Sequence, residues 1–270
     1  MGIALHKRKS SGSTLMTEGT IWKHILLFSI PLILGNMLQQ LYNTVDSIVV
    51  GNSLGSEALA AVGSSSSLIS LLISFSMGAA AGAGVIVSQF IGAQNKKGIH
   101  ESVHTALAIA LILGVVLTVL GITLSPQILR WMGTPDEVMP QSVIYLRLYF
   151  AGLLFSVLYN MASGILNAVG NSKRSLLYLA IASFTNIVLD LLFIPVLKMG
   201  IAGAAIATDI SQVLSAVLCM LYLMRVDESY KVALRKIRIH KEVAVRIIQV
   251  GVPTAIQNTV ISFANVLVQS

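Results

Sequence analysis

Apolar residues run along this chain in seven blocks separated by short polar stretches. The blocks cover His24 to Val50, Ala58 to Ile91, Ile99 to Leu124, Val143 to Val169, Leu176 to Leu197, Ile201 to Met224 and Val243 to Ser270. Each is near or above the roughly 20 residues that a helix needs to cross a hydrocarbon core about 30 Å thick. Continuous apolar runs, as opposed to ten-residue segments of alternating polarity, predict helices and not the strands of a membrane barrel. The expected fold is an all-α membrane protein, a six-helix transmembrane bundle followed by a seventh helix.

Composition agrees. The 270 residues are 55% apolar and 11% charged, whereas roughly a quarter of residues are charged in soluble domains. A water-soluble enzyme domain is therefore excluded. A net charge of +7 would suit nucleic acid, but the Lys and Arg residues occupy the gaps between apolar blocks, where they set topology. No nucleic-acid partner is expected. Taking alternate connections as one side, fifteen of the eighteen Lys and Arg residues share a side, and only Arg130, Arg147 and Lys198 lie elsewhere. That bias puts the N-terminus and the stretch Arg225 to Lys241 in the cytoplasm, with the chain threaded through the cytoplasmic (inner) membrane. Trp22 and Trp131 stand at block ends, the depth an indole favours. The single Cys219 allows neither a disulfide framework nor a cysteine metal site.

Residues 1–20 are polar and basic and are expected to form a disordered cytoplasmic tail. His6 stands where a myristoylation signal wants Ser or Thr, and no cleavage site follows the first block, so neither a lipid anchor nor a signal peptide is expected. Met16 is an alternative start.

A shift of 222 residues lays Pro31 on Pro253, Asn36 on Asn258 and Asn43 on Asn265. Three such residues at one offset, each inside an apolar block, indicate an internal repeat. Six spans separate the copies, so both helices run the same way. Two parallel halves related by an axis along the membrane normal are an arrangement found in secondary transporters. The expected division is a tail at 1–20, a six-helix N-lobe at 21–224, a basic cytoplasmic linker at 225–242, and at 243–270 the first helix of a C-lobe that the chain does not complete. The whole would have about twelve spans.

Three of the eleven acidic residues, Asp46, Asp190 and Asp209, fall inside apolar blocks. An ionised carboxylate at mid-bilayer costs on the order of 2.5–3.5 kcal/mol on insertion scales, so such residues are functional candidates. At about 1.5 Å per residue, Asp46 lies roughly 7 Å below the outer end of its span, and Asp190 and Thr208 roughly 10–12 Å below theirs. Asn186 precedes Asp190 by four residues and shares its helix face. Two carboxylates, an amide oxygen and a hydroxyl make a hard-oxygen site for a monovalent cation, and two carboxylates in one lipid-shielded pocket can equally hold a proton. The competing account is a structural ion pair of Asp46 or Asp190 with Arg147. Asp209 points about 100° away from Thr208 and is only a weak candidate.

Other signals have plainer readings. Gly51 to Gly55 matches the G-x-S-x-G nucleophile elbow around Ser53, yet it joins two membrane helices, so a tight outer turn is expected. His24, His100, His104 and His240 lie near cytoplasmic helix ends without metal-ligand spacing, and neither a metal nor another cofactor is expected. Ser64 to Ser67, and Ser74, Gly78 and Gly82 at spacing four, allow close helix packing. Pro31 and Pro195 can bend or end their helices.

Pro31, the stretch Gln39 to Asp46, the turn Gly51 to Gly55 with Ala58 to Gly63 after it, Asn186 to Asp190, and Gly200 to Thr208 together resemble multidrug and toxic compound extrusion (MATE) transporters. The resemblance covers most of Thr17 to Ser270. It implies a twelve-helix antiporter of two six-helix lobes that expels organic cations and amphipathic drugs in exchange for inward H⁺ or Na⁺. It further implies that Asp46, Asn186, Asp190 and Thr208 form the cation site, and the mechanism expected here is that cation binding changes helix bending near Pro31 and so the relative stability of the lobe arrangements. At the repeat offset Asp46 falls on Val268, so cation chemistry would belong to the N-lobe alone. Expected partners are the transported small molecules and membrane lipids. The rivals are a lipid-linked saccharide flippase, which would line its cavity with Arg, an intramembrane hydrolase using Ser53, and a membrane scaffold.

Overall fold

The computed structural model describes residues 21–269. The expected tail and the final residue of the last block lie outside them. Seven long helices form: α1 (Ile21–Leu54), α2 (Ser56–Gly92), α3 (Lys96–Trp131), α4 (Met139–Ala168), α5 (Ser172–Leu191), α6 (Ile201–Arg225) and α7 (Lys241–Gln269). No strand occurs among the described residues. Each helix begins or ends within a few residues of an apolar block, because the connections carry the turn chemistry. Gly55, Gly170 and Gly200 take positive φ at the turns into α2, α5 and α6, a conformation that only glycine adopts freely. Asn95 caps α3 by accepting the Gly98 N–H at 3.0 Å.

Five of the helices, α2, α3, α4, α6 and α5 with its continuation to Val196, are long and apolar enough to cross a membrane. Large apolar side chains such as Ile112, Val119, Phe184 and Val188 are exposed on their outer surfaces, the inverse of a soluble bundle and the expected face toward lipid.

Helix α4 is central and packs on α2, α3 and α6. Its Leu146, Phe150, Leu153, Ile165 and Leu166 are fully buried. Gly121 of α3 provides the space that the Phe150 ring fills, and a Cβ there would overlap it. Helix α1 packs on α5, and α5 on α6. Helix α7 crosses α2 at small residues, where a Cβ on Gly82 would meet the Ile247 carbonyl oxygen at 2.8 Å and one on Gly78 would overlap the Ala255 backbone. The spacing-of-four stripe thus serves helix packing, and close backbone approach is what associates helices in a medium as apolar as their side chains.

Pro195 does not stop α5 at once. The last turn widens into a π-helix, Leu192–Val196, in which the Leu197 N–H donates to the Leu192 oxygen five residues back, at 2.9 Å. Pro31 lies inside α1, which runs through it as a helix.

A buried acidic site among α1, α4, α5 and α6

The 3.6-residue period puts Ser183, Asn186 and Asp190 on one face of α5, and all three are buried. On α6 the same period aligns Thr208, Ser211 and Ser215, also buried. The two polar faces meet. Asn186 Nδ2 donates to Thr208 Oγ1 at 3.4 Å, and with Tyr42 of α1 they line a cavity of about 10 Å³, space for about one water-sized sphere.

Asp190, 0% exposed, lies one turn beyond Asn186 and within electrostatic reach of Asp46 from α1. Tyr145 of α4 lies within electrostatic range, though not in hydrogen-bond contact, of Asp46, Asp190 and Asp209. One Asp46 oxygen, both Asp190 oxygens, Asn186 Oδ1 and Ser183 Oγ are buried without a hydrogen-bond partner. Buried polar atoms are ordinarily satisfied, and a buried carboxylate without a donor is among the least stable arrangements in a folded chain. Several oxygen acceptors facing inward with too few donors among them suit a proton or a small cation.

The rival ion pair is absent. Arg147 is exposed on the outer side of α4, and among the described residues no salt bridge joins it to either acid. Asp209 turns away from Thr208 toward α4, where a Cβ on Gly152 would overlap its carboxyl group. Pro31 stands fifteen residues before Asp46 on α1, roughly 22 Å along the axis, so any role it has is mechanical and not ligation. Ser53 sits exposed in the last turn of α1, and the Gly55 N–H donates to the Gly51 oxygen at 3.1 Å. The Gly51 to Gly55 motif is a helix-to-helix turn and not a strand-to-helix elbow.

Sequence reasoning did not single out Tyr42, Tyr145, Tyr149 and Ser183. Tyr42 lies four residues before Asp46 and Ser183 three before Asn186, so helical spacing would have found both. The two tyrosines of α4, with ring centroids 6.3 Å apart, carry no signal linking them to the acids, because α4 meets α1, α5 and α6 only through tertiary packing.

A larger cavity of about 660 Å³ opens among α1, α2 and α4. Phe28, Leu32, Met77 and Val85 line it together with Gln89, Asn160 and Asn167. Its size and mostly apolar walls with a few amides suit a small organic ligand.

Membrane-crossing helices around buried acids define a polytopic membrane protein with a polar site inside the bundle. The family model MatE matches residues 31–192, and the chain belongs to that family. It is 35% identical to the probable multidrug resistance protein YoeA of Bacillus subtilis (strain 168), over 94% of this chain and 56% of that protein. Crystal structures of MATE in a bent and in a straight conformation are also similar. The bent one gives a TM-score of 0.82 at 33% identity, over 88% of this chain and 53% of that one. The straight one gives 0.83 at 32%, over 92% and 55%. The chain spans about half the length of the relatives it matches.

Proposed function

We infer that this chain is the N-terminal lobe, with the linker and first helix of a second lobe, of a cation-coupled exporter of organic cations and other amphipathic drugs. Residues 21–224 form the lobe, 225–242 the cytoplasmic linker and 243–270 the start of the C-lobe. Asp46, Asn186, Asp190 and Thr208 take up H⁺ or Na⁺, and the 660 Å³ cavity contributes to the drug path. The observation that carries this reading is the set of unpartnered buried oxygens on Asp46, Asn186 and Asp190.

Antiport needs only that cation and drug prefer different lobe arrangements, so that each shifts the population away from the other. Binding at the acids neutralises charge between α1 and α5 and changes how α1 packs on α5. The proline at Pro31 is the point at which α1 lacks a backbone donor and bends most readily. The bent and straight relatives support bending as a movement open to this fold.

The test is efflux of a fluorescent organic cation from vesicles holding the full-length protein, under an imposed Na⁺ gradient and then an H⁺ gradient. Efflux that follows one gradient, and is lost in both Asp46→Asn and Asp190→Asn proteins, is the expected result. Gradient-driven efflux that survives in the Asp46→Asn protein would remove the mechanism.

A further inference from the structure

Away from the buried acids, the α6–α7 connection folds back along α3 and is held there. The Ala233 N–H donates to His104 Nε2 at 3.1 Å, so His104 Nδ1 carries the proton and donates to the His100 carbonyl at 2.8 Å. Thr105 Oγ1 accepts the His240 N–H at 3.2 Å and also meets His240 Nδ1 at 3.2 Å. Arg238 Nε donates to His240 Nε2 at 3.0 Å. These bonds fix a pocket of about 490 Å³ between the start of α3 and the connection.

The pocket walls carry an unbalanced charge. Lys97, Arg235, Lys236 and Arg238 line it against one carboxylate, Glu101, and Glu101 is engaged by Lys97 at 3.8 Å. Among the described residues no acid pairs with Arg235, Lys236 or Arg238. The hydrogen bond to His240 uses only Arg238 Nε, and the rest of that guanidinium remains available as a fork for a tetrahedral anion. Two exposed apolar side chains, Leu234 at 59% and Ile239 at 46%, alternate with these cations on the same short segment. Cations and exposed aliphatic residues interleaved at the end of membrane helices match a lipid interface, where the apolar side chains enter the acyl region and the charges meet headgroups.

We propose that this pocket binds the phosphate group of an anionic phospholipid from the adjacent leaflet, held by Arg235, Lys236 and Arg238 with Leu234 and Ile239 against its acyl chains. Bound lipid would join α3 to the connection that leads into α7. The proposal is independent of the cation chemistry at Asp46 and Asp190.

The test uses the full-length protein in vesicles of equal parts phosphatidylglycerol and phosphatidylcholine, extracted in detergent, with retained lipid counted by native mass spectrometry. The wild type is expected to retain phosphatidylglycerol over phosphatidylcholine by about tenfold, and R235Q/K236Q/R238Q is expected to abolish the preference. A control with the same charge change elsewhere, K173Q/K231Q/K241Q, should keep it. The charge-preserving R235K/R238K, which keeps the charge but loses the guanidinium fork, should keep a reduced preference, which separates loss of the site from loss of folding. Equal retention of both lipids by the wild type would overturn the proposal, as would equal loss in the control. Displacement of the retained lipid by millimolar inorganic phosphate would reassign the pocket to soluble phosphate, and displacement by polyglutamate would reassign it to an acidic protein. Either result overturns the lipid assignment.

Discussion

The buried cluster among α1, α4, α5 and α6 and the basic pocket at the start of α3 are built on opposite plans. In the first, Asp46 and Asp190 place carboxyl groups inside the bundle, and among the described residues no cation pairs with them. In the second, Arg235, Lys236 and Arg238 bring positive charge to the surface, and among the described residues no acid pairs with them. An unpaired acid removed from water is unfavourable by several kcal/mol, whereas the exposed cations stay hydrated and cost far less. On the readings proposed above, the first region is complementary to a cation and the second to an anion. The regions also differ in shielding. Salt screens the exposed pocket within about 10 Å at 0.1 M, but it reaches the buried acids far less.

The largest expected effect tests the buried side of this contrast. In the full-length protein, Asp190→Asn should abolish gradient-driven efflux while expression and insertion persist. An unchanged rate in the vesicle assay would break the contrast at its stronger end. Next in size is the scaffold that carries α7. Gly82→Leu forces a side chain into the Ile247 and Gly251 backbone and should destabilise the protein by about 3 kcal/mol, seen as a lower thermal midpoint in detergent. The corresponding change at exposed Gly63, where a Cβ meets nothing within 4 Å, should shift it little. A smaller effect is expected from His104→Phe, which removes the acceptor for the Ala233 N–H. The loss of about 1 kcal/mol should speed protease cleavage within 226–240 by about fivefold. Smallest is Thr208→Val. Removing the hydroxyl that Asn186 bonds should cost about 0.6 kcal/mol, the mean for such bonds between membrane helices, and weaken cation binding about threefold by isothermal calorimetry. Binding reduced as much by Arg147→Gln as by Thr208→Val would instead return Arg147 to the site.

Much of this was legible in the sequence because the bilayer imposes a long-range rule on a local signal. A block of twenty apolar residues must be a helix that crosses or lies within lipid, and its ends follow from polar and glycine residues. The common face of Asn186 and Asp190 followed from their spacing, and helix depth brought Asp46 and Thr208 to a similar level. What spacing could not supply was rotation. Nothing local says that Asp209 turns toward Gly152, that Tyr145 lies within reach of three acids, or that Arg147 faces outward. Those facts belong to how α4 packs among its neighbours. The histidines show the same limit. Spacing alone assigned His104 and His240 no partner, and their use as hydrogen-bond partners between α3 and a segment over 120 residues away in sequence is visible only in three dimensions.

The His240 carbonyl accepts the Ala244 N–H at 2.8 Å, opening the first turn of α7, and the same residue is held by Thr105. The helix is therefore moored at its very first turn. Further along, the same helix lies backbone to backbone against α2 at Gly251 and Ala255, so α7 is pinned at two levels and a displacement of it must carry α2 and the start of α3 along.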